Sequence, residues 1–293
     1  MHITILSGGM SEREVSLLSG KAVKDAIIQL GHDVKLININ NKDVFNIKNF
    51  NTDLIFNALH GGIGENGIIQ SFFEVKGVPY TGSGVLASAL AMNKVFSKQI
   101  FKSIGISVAE GINGPADKII SDNALEYPYI VKPIDGGSSI NIHLIKDDTD
   151  KNNFIYPKDE VLIEPFIEGR EVSVAIFNKN VIGMIEIKYQ DKIYDYTAKY
   201  SSDDTKYIFP TDLNKNIQSL LHENALKAHS SLGCKGITRV DFRLDSKNNF
   251  LPILLEINTL PGLTSHSLVP KIFQNAGIDF VKLISMIIED ALN

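Results

Sequence analysis

Thr238-Arg239-Val240-Asp241-Phe242-Arg243-Leu244 is followed, after Asp245-Ser246-Lys247-Asn248-Asn249, by Leu254-Leu255-Glu256-Ile257-Asn258. Alternation in the first segment sends Val240, Phe242 and Leu244 to one face of a strand and Arg239, Asp241 and Arg243 to the other. In the second, Glu256 and Asn258 share a face opposite Leu255 and Ile257. The intervening residues are turn formers, so the strands are expected to pair antiparallel, with Asp241 opposite a residue between Leu254 and Asn258. Cross-strand neighbours lie roughly 4.5–5.5 Å apart at Cβ. Two carboxylates and an amide oxygen on one face form a hard, oxygen-only set suited to Mg²⁺, with phosphate oxygens completing its shell. The competing reading is a polar sheet face in water with Arg239 pairing the acids. The adjoining Thr259-Leu260-Pro261-Gly262-Leu263-Thr264-Ser265-His266-Ser267 favours the first: it is polar, offers a glycine for close approach, and leads into a helix whose N-terminal amides can hold an anion.

Upstream, Lys132-Pro133-Ile134-Asp135-Gly136-Gly137-Ser138-Ser139 places a lysine at the end of a strand and then a glycine loop with two hydroxyls. That suits a phosphate cradle, although the Gly-Lys-Ser/Thr order of a Walker loop is absent; an ordinary surface turn is the alternative. Glu164, near the end of an apolar run, is placed to bond an adenine amine or a ribose, or else to sit solvated at a strand end. Two further glycine loops, Ser7-Gly8-Gly9 and His60-Gly61-Gly62-Ile63-Gly64-Glu65-Asn66-Gly67, follow strand-like segments, where α/β proteins bind ligands. Neither makes the dinucleotide fingerprint GxGxxG, which argues against a simple NAD-binding protein. A lone histidine such as His60 is more often structural than catalytic.

Around these motifs the pattern is α/β and α+β. Residues 1–82 alternate strands (His2–Leu6, Asp33–Ile39, Leu54–Leu59) with helices, and Val15, Leu18, Ala22, Ala26 and Leu30 recur at helical spacing before a Gly31 stop. This implies a parallel sheet. Residues 83–168 hold two helical stretches (85–92 and 93–104) and strands at 129–132, 141–145 and 160–166. Residues 169–293 hold a hairpin around Asn178-Lys179-Asn180, a polar, tyrosine-rich segment 189–212 that reads as a lid, a helix at 214–232, the hairpin above and two terminal helices. The expected architecture is three lobes, with antiparallel sheets in the last two.

The chain has 293 residues, 44% apolar and 22% charged, the composition of a globular protein long enough for about two domains. A net charge of −5 without a dense basic stretch argues against nucleic acid. No apolar run approaches the ~20 residues of a membrane span, and the first ten residues lack a secretory signal's pattern. A lone cysteine, Cys234, excludes an internal disulfide and fits a reducing compartment, so a cytoplasmic protein is expected. Only four of 29 basic residues are arginine (Arg13, Arg170, Arg239, Arg243), which suggests guanidinium is placed where lysine cannot supply a planar fork.

Taken in order, these segments resemble the D-alanine–D-alanine ligases, ATP-grasp enzymes of peptidoglycan synthesis. The resemblance runs through Gly8-Gly9, Glu12-Arg13-Glu14-Val15-Ser16, His60-Gly61, Gly64-Glu65-Asn66-Gly67, Pro79-Tyr80-Thr81-Gly82-Ser83 and Met92-Asn93-Lys94. It continues through Val131-Lys132-Pro133, Gly137-Ser138-Ser139, Tyr194-Asp195-Tyr196, Ala198-Lys199-Tyr200 and Gly233-Cys234-Lys235-Gly236, and ends at Arg239-Val240-Asp241, Glu256-Ile257-Asn258-Thr259 and Pro261 to Ser267. It implies an ATP-grasp fold whose second and third lobes clamp ATP. Lys94, Lys132, Ser139, Glu164, Glu171 and Lys199 would hold ATP, and Asp241, Glu256 and Asn258 two Mg²⁺ (or Mn²⁺). Arg239 and the Gly262 amide would stabilise an oxyanion. Glu12 would fix the first D-alanine's ammonium near His60, and Ser267 the second substrate's carboxylate. Glu12, Ser138 and Tyr200 would form a hydrogen-bonded triad that ties the lid over the site. The family is usually homodimeric. Gly136 stands where glutamate is frequent, and Ser139-Ile140-Asn141 replaces Ser-Val-Gly, with asparagine able to take the left-handed conformation of the glycine.

Three rivals stand beside this reading. A D-alanine–D-lactate ligase typically lacks tyrosine at the position of Tyr200. A catalytically silent ATP-grasp binding protein would not need the metal face and Arg239 intact. Another ATP-grasp carboxylate–amine ligase would lack the joint presence of Glu12, Tyr200 and Ser267.

Overall fold

The computed structural model describes residues 1–9, 12–40, 43–47, 50–121, 125–155, 159–188, 205–209 and 212–293. Strands β1 (His2–Gly8), β2 (Asp33–Ile39) and β3 (Leu54–Asn57) form a parallel sheet in the order β2-β1-β3. Helix α1 (Arg13–Gln29) packs on it with Val15 and Ala26 of the expected stripe buried and Leu30 against the core, but the buried face is rotated away from Leu18. Ser16, Ser19, Gly20, Val23 and Ile27 turn inward, while Leu18 is 59% exposed. A Cβ on Gly20 would lie 2.7 Å from the Ser7 Cβ, so helix and strand approach along a strip of small side chains and leave the leucine outside. Helix α2 (Ile68–Lys76) follows the His60 loop.

Helices α3 (Val85–Met92) and α4 (Lys94–Ser103) come next. The pattern of the sequence grouped them with the central lobe, yet Ala87, Ala91 and Phe101 join the core of the C-terminal sheet, with Leu221, Val240 and Phe242. The alanine face of α3 allows that close seating. A four-stranded antiparallel sheet is built from β4 (Ile112–Pro115), β5 (Tyr129–Pro133), β6 (His143–Ile145) and β7 (Glu160–Pro165), in the order β4-β7-β5-β6. Sequence reading missed β4, because Ile112-Asn113-Gly114-Pro115 has no alternation; it is an edge strand paired only with β7. Short helices α5 (Ala116–Ser121) and α6 (Asp148–Asn153) flank the sheet.

The third sheet is antiparallel, in the order β10-β9-β8-β11-β12: β8 (Gly169–Phe177), β9 (Asn180–Lys188), β10 (Lys206–Ile208), β11 (Ile237–Asp245) and β12 (Leu251–Asn258). Helix α7 (Lys215–Ser231) shares one core with Val172, Val174 and Phe242. Helices α8 (Leu268–Asn275) and α9 (Phe280–Ala291) share the other with Ala175 and Ile185, and with Ile3, Ile5 and Leu54 of the parallel sheet. Strand β10 falls inside the segment 189–212, which was read as a lid loop without apolar periodicity: Tyr207 and Phe209 pack against the C-terminal core. The rest of that segment, including Lys199 and Tyr200, lies outside the described residues apart from Thr205 and Asp212.

Candidate active site

Cross-strand register puts Asp241 directly opposite Glu256 and Arg239 opposite Asn258, on one face of the sheet. One residue further the register slips, and Phe242 faces Leu254. Leu255 is the extra residue of this bulge. Leu254 therefore fills the core at 0% exposure, whereas Leu255, expected on the face opposite Glu256, lines a cavity with it. Arg239 pairs Asp241 through Nε (2.9 Å to Oδ1) and Nη2 (2.8 Å to Oδ2), and the Ser173 hydroxyl donates to Oδ1 at 2.6 Å from β8. The arginine thus pairs the acid, as the competing reading held, but Asp241 is 8% exposed rather than solvated. The Leu260 amide donates to Asn258 Oδ1 at 2.8 Å, which hooks the following loop to the strand end.

Among the described residues no cluster of three or more His, Cys, Asp or Glu side chains is placed to hold a metal. The donor chemistry nevertheless fits Mg²⁺ or Mn²⁺: two facing carboxylates and an adjacent amide oxygen are few protein ligands, all hard. Mg²⁺ is ordinarily held by one or two carboxylates, with substrate phosphates and water making up the octahedron.

Two cavities meet on this face. The first is lined by Glu12, His60, Ser138, Arg239, Asn258, Gly262 and Ser267, the second by Lys94, Lys132, Ser139, Glu164, Arg243 and Leu255; Glu171, Asp241 and Glu256 line both. In the second cavity, Lys94 opens α4, whose N-terminus Asn93 caps by accepting from the Val95 and Phe96 amides. The Lys94 ammonium donates to Gly136 O at 2.6 Å and lies 3.7 Å from Glu256 Oε2. Burial pulls its pKa down, against the pull of Glu256. Glu164 is 3% exposed, with Lys132 Nζ on Oε2 at 2.6 Å and Lys98 Nζ on Oε1. Burial works to raise the Glu164 pKa, and the two ammonium groups outweigh it. Burial, helped by Lys132, pushes the Lys98 pKa down to about 8. Lys98 escaped the sequence reading, although its i, i+4 relation to Lys94 places both on one helix face.

In the first cavity the Ser138 hydroxyl donates to Glu12 Oε2, joining the glycine loop after β5 to the start of α1. Ser138, Ser139 and Asn141 all have positive φ (52°, 56° and 59°), so the asparagine takes the left-handed shape expected of it. The twist sends Ser138 to the first cavity and Ser139 to the second. A Cβ on Gly262 would lie 2.7 Å from Ser267 Oγ, which explains the glycine there. Ser267 Oγ accepts from the Thr264 amide at 3.1 Å, at the mouth of α8. His60 is held by Ser19 Oγ at 3.0 Å from Nε2 and lies 3.7 Å from Glu65 on its Nδ1 side. Every site residue expected from sequence borders one of the two cavities, except Lys199 and Tyr200, which lie outside the described residues.

Comparison with known proteins agrees with this picture. The family model described as D-ala D-ala ligase C-terminus matches residues 109–289, and the D-ala D-ala ligase N-terminus model matches 44–83. A D-alanine–D-alanine ligase of Wolbachia pipientis wMel is 45% identical over 297 residues, covering 99% of this chain and 94% of the relative. The crystal structure of a D-alanine–D-alanine ligase from Bacillus anthracis is 31% identical with a TM-score of 0.86, covering 100% of this chain and 97% of its own. The Bacillus anthracis enzyme complexed with ATP gives 0.83 at 30% identity, with the same coverage.

Proposed function

The chain belongs to the D-alanine–D-alanine ligase family, and from that membership we propose that its two adjoining cavities couple ATP consumption to the joining of two D-alanines for peptidoglycan synthesis. The observation that carries the assignment to this geometry is that the amino-acid and nucleotide cavities share Asp241, Glu256 and Glu171. A phosphoryl group passed from one cavity to the other crosses these carboxylates. Asp241, Glu256 and Asn258 would hold two Mg²⁺ (or Mn²⁺), which would neutralise charge on the transferring phosphoryl group.

The remaining chemistry falls to the chain. Lys94 and Lys132, with Lys199, neutralise phosphate charge; Ser139 adds a hydroxyl, Glu171 completes the nucleotide set, and Glu164 accepts from the adenine amine or ribose. Glu12 binds the first D-alanine's ammonium beside His60, presenting its carboxylate to the phosphoryl donor and yielding an acyl phosphate. Ser267 orients the second D-alanine's carboxylate so that its amine attacks that carbonyl, and phosphate leaves the tetrahedral intermediate as the peptide bond forms and the amine gives up its proton. Arg239 and the Gly262 amide receive the oxyanion, a donor type worth about 2.7–4 kcal/mol. Ser138, which donates to Glu12, and the lid residue Tyr200 hold water away from the acyl phosphate. Glu12, Ser138, Tyr200, Arg239 and Ser267 are thus the catalytic set.

Among the described residues no helix is long and apolar enough to cross a membrane. The lone buried cysteine supports a reducing, cytoplasmic setting, the acidic balance argues against a nucleic-acid partner, and the family resemblance alone supplies the expectation of a homodimer. Phosphate release tests the whole reading. D-Alanine alone is expected to drive it, L-alanine to leave it at background, and added D-lactate to leave it unchanged. Dependence on D-lactate would move the assignment to the depsipeptide-forming rival, and nucleotide binding without turnover on D-alanine would make the chain a silent binder.

A further inference from the structure

Among the described residues three lysines are buried: Lys94, Lys98 and Lys132. Lys94 and Lys132 line the nucleotide cavity; Lys98 does not. It sits one turn beyond Lys94 on α4, 6% exposed, with its ammonium on Glu164 Oε1 while Lys132 takes Oε2. Burying an ammonium is costly unless it is paired, and like charges at i, i+4 oppose each other, so two unfavourable effects converge on this position.

We infer that Lys98 is a positioning residue, keeping Glu164 ionised and aimed into the nucleotide cavity when Lys132 turns to the nucleotide's phosphates. The inference rests on the ATP-dependent reading above. A nucleotide polyphosphate brings several negative charges against the cavity wall and competes with Glu164 for the ammonium of Lys132. Lys98 stands behind that wall, outside the competition. Without it, Glu164 at 3% exposure would be an unpaired buried carboxylate and would take up a proton, ceasing to be a full acceptor for an amine or hydroxyl. The pair also spans two bodies. Lys98 belongs to α4, anchored by Phe101 in the core of the five-stranded sheet, whereas Glu164 belongs to β7 of the four-stranded sheet.

The test is Lys98→Met, which keeps the length of the side chain and removes its charge. By calorimetry and steady-state kinetics, Kd for ADP and KM for ATP are expected to rise about tenfold, while KM for D-alanine stays within about twofold. In a Glu164→Gln background the same substitution is expected to add less than about twofold, because the group through which Lys98 acts is gone. Unchanged ADP affinity in Lys98→Met, or a loss that persists in full in the Glu164→Gln background, overturns the proposal. Should Lys98→Met fail to fold, a crystal structure of the wild-type protein with ADP decides. Lys98 still on Glu164 with Lys132 on phosphate supports the inference, and Lys98 on phosphate or away from Glu164 defeats it. Wild-type protein that neither binds ADP nor releases phosphate with D-alanine would instead defeat the ligase reading itself.

Discussion

Asp241 meets Ser173 from one neighbouring strand and Glu256 from the other, and Arg239 reaches it along its own strand. Its position owes everything to the pleat, and its chemistry to the company the pleat supplies. Asp241→Ala or Glu256→Ala is therefore expected to leave the fold intact and to lower ATP turnover with D-alanine by more than about a hundredfold. Altering outer-shell partners alone typically costs 10–100-fold. Wild-type ATP consumption in either variant would remove the metal assignment. This face was legible in the sequence because alternation on a strand is robust, and a turn-rich connection fixes the pairing. Two neighbouring residues were not legible. Leu255 points into the nucleotide cavity only because of a bulge, and Leu254-Leu255 looks the same with or without one. Lys98 reads as a solvated helix residue, yet α4 buries Lys94, Ser97, Lys98 and Phe101 and leaves Phe96 55% exposed, the reverse of an apolar stripe. The sparing use of arginine was informative: Arg239 and Arg243 line the cavities, and Arg170 forks onto Glu186 and Asp212. Arg13, by contrast, serves the loop after β1, donating to Ile39 O at 3.0 Å.

At the scale of elements, the glycine loop between β5 and β6 combines a demanding backbone with polar anchors on other elements. Three non-glycine residues there have left-handed φ, a conformation that costs of order 1–3 kcal/mol per residue and persists where the surroundings impose it. The anchors include Ser138 on Glu12, Lys94 on Gly136 O, the Lys94 amide on Ile134 O at 3.1 Å and the Gly136 amide on Met92 Sδ at 3.2 Å. Ser138→Ala, like Tyr200→Phe, is expected to raise the share of ATP hydrolysed without dipeptide formed, because a loosened loop admits water to the acyl phosphate. Unchanged coupling in both variants would remove the water-exclusion argument. A different element interface governs acid stability. His229 of α7 is buried against Thr238 of β11, its Nδ1 2.9 Å from Oγ1, and burial pushes its pKa down to about 4 despite Asp290. A histidine whose folded pKa is depressed stays neutral while the unfolded chain takes up a proton, so its stabilising effect is full above about pH 6.5 and is lost as pH falls toward 4, at about 1.4 kcal/mol per unit. Denaturant unfolding from pH 7 to 4.5 should show that slope, and His229→Gln should flatten it. Equal slopes would place the acid lability elsewhere. No spacing in the sequence distinguished this histidine from a surface one, since its burial arises from long-range packing.

For the whole molecule, the cores show which parts can move against one another. One hydrophobic core joins β1, β3 and α1 of the parallel sheet to α8, α9 and the adjacent face of the five-stranded sheet, so these parts form a single base. The four-stranded sheet keeps a separate core of Ala116, Ile120, Tyr129, Val131, Ile145, Val161 and Ile163, which among the described residues draws on none from the other sheets. Polar bridges tie it to the base: Lys98 to Glu164, Lys94 to the Gly136 carbonyl, and Ser138 to Glu12. The succession of one parallel and two antiparallel sheets was visible in the sequence as a change of rhythm, but the core shared by the first and the last was not. It depends on which faces α3, α8 and α9 bury, and apolar helices carry no address for their partners. Polar ties between bodies with separate cores yield more readily than a shared core, so the four-stranded sheet is the part expected to shift as nucleotide fills the cavity beneath it. Hydrogen exchange followed by mass spectrometry, with and without ADP and D-alanine, should show new protection in β5, β7 and the 134–142 loop, and little change in β1, β8 and β11. β1, β8 and β11 are each paired with a strand on both sides, so their amides are expected to exchange too slowly, with or without ligand, for the labelling to register a change. Protection rising equally in all three sheets would mean that ligand stabilises the molecule as one cooperative unit, and that the separate core of the four-stranded sheet gives it no independence.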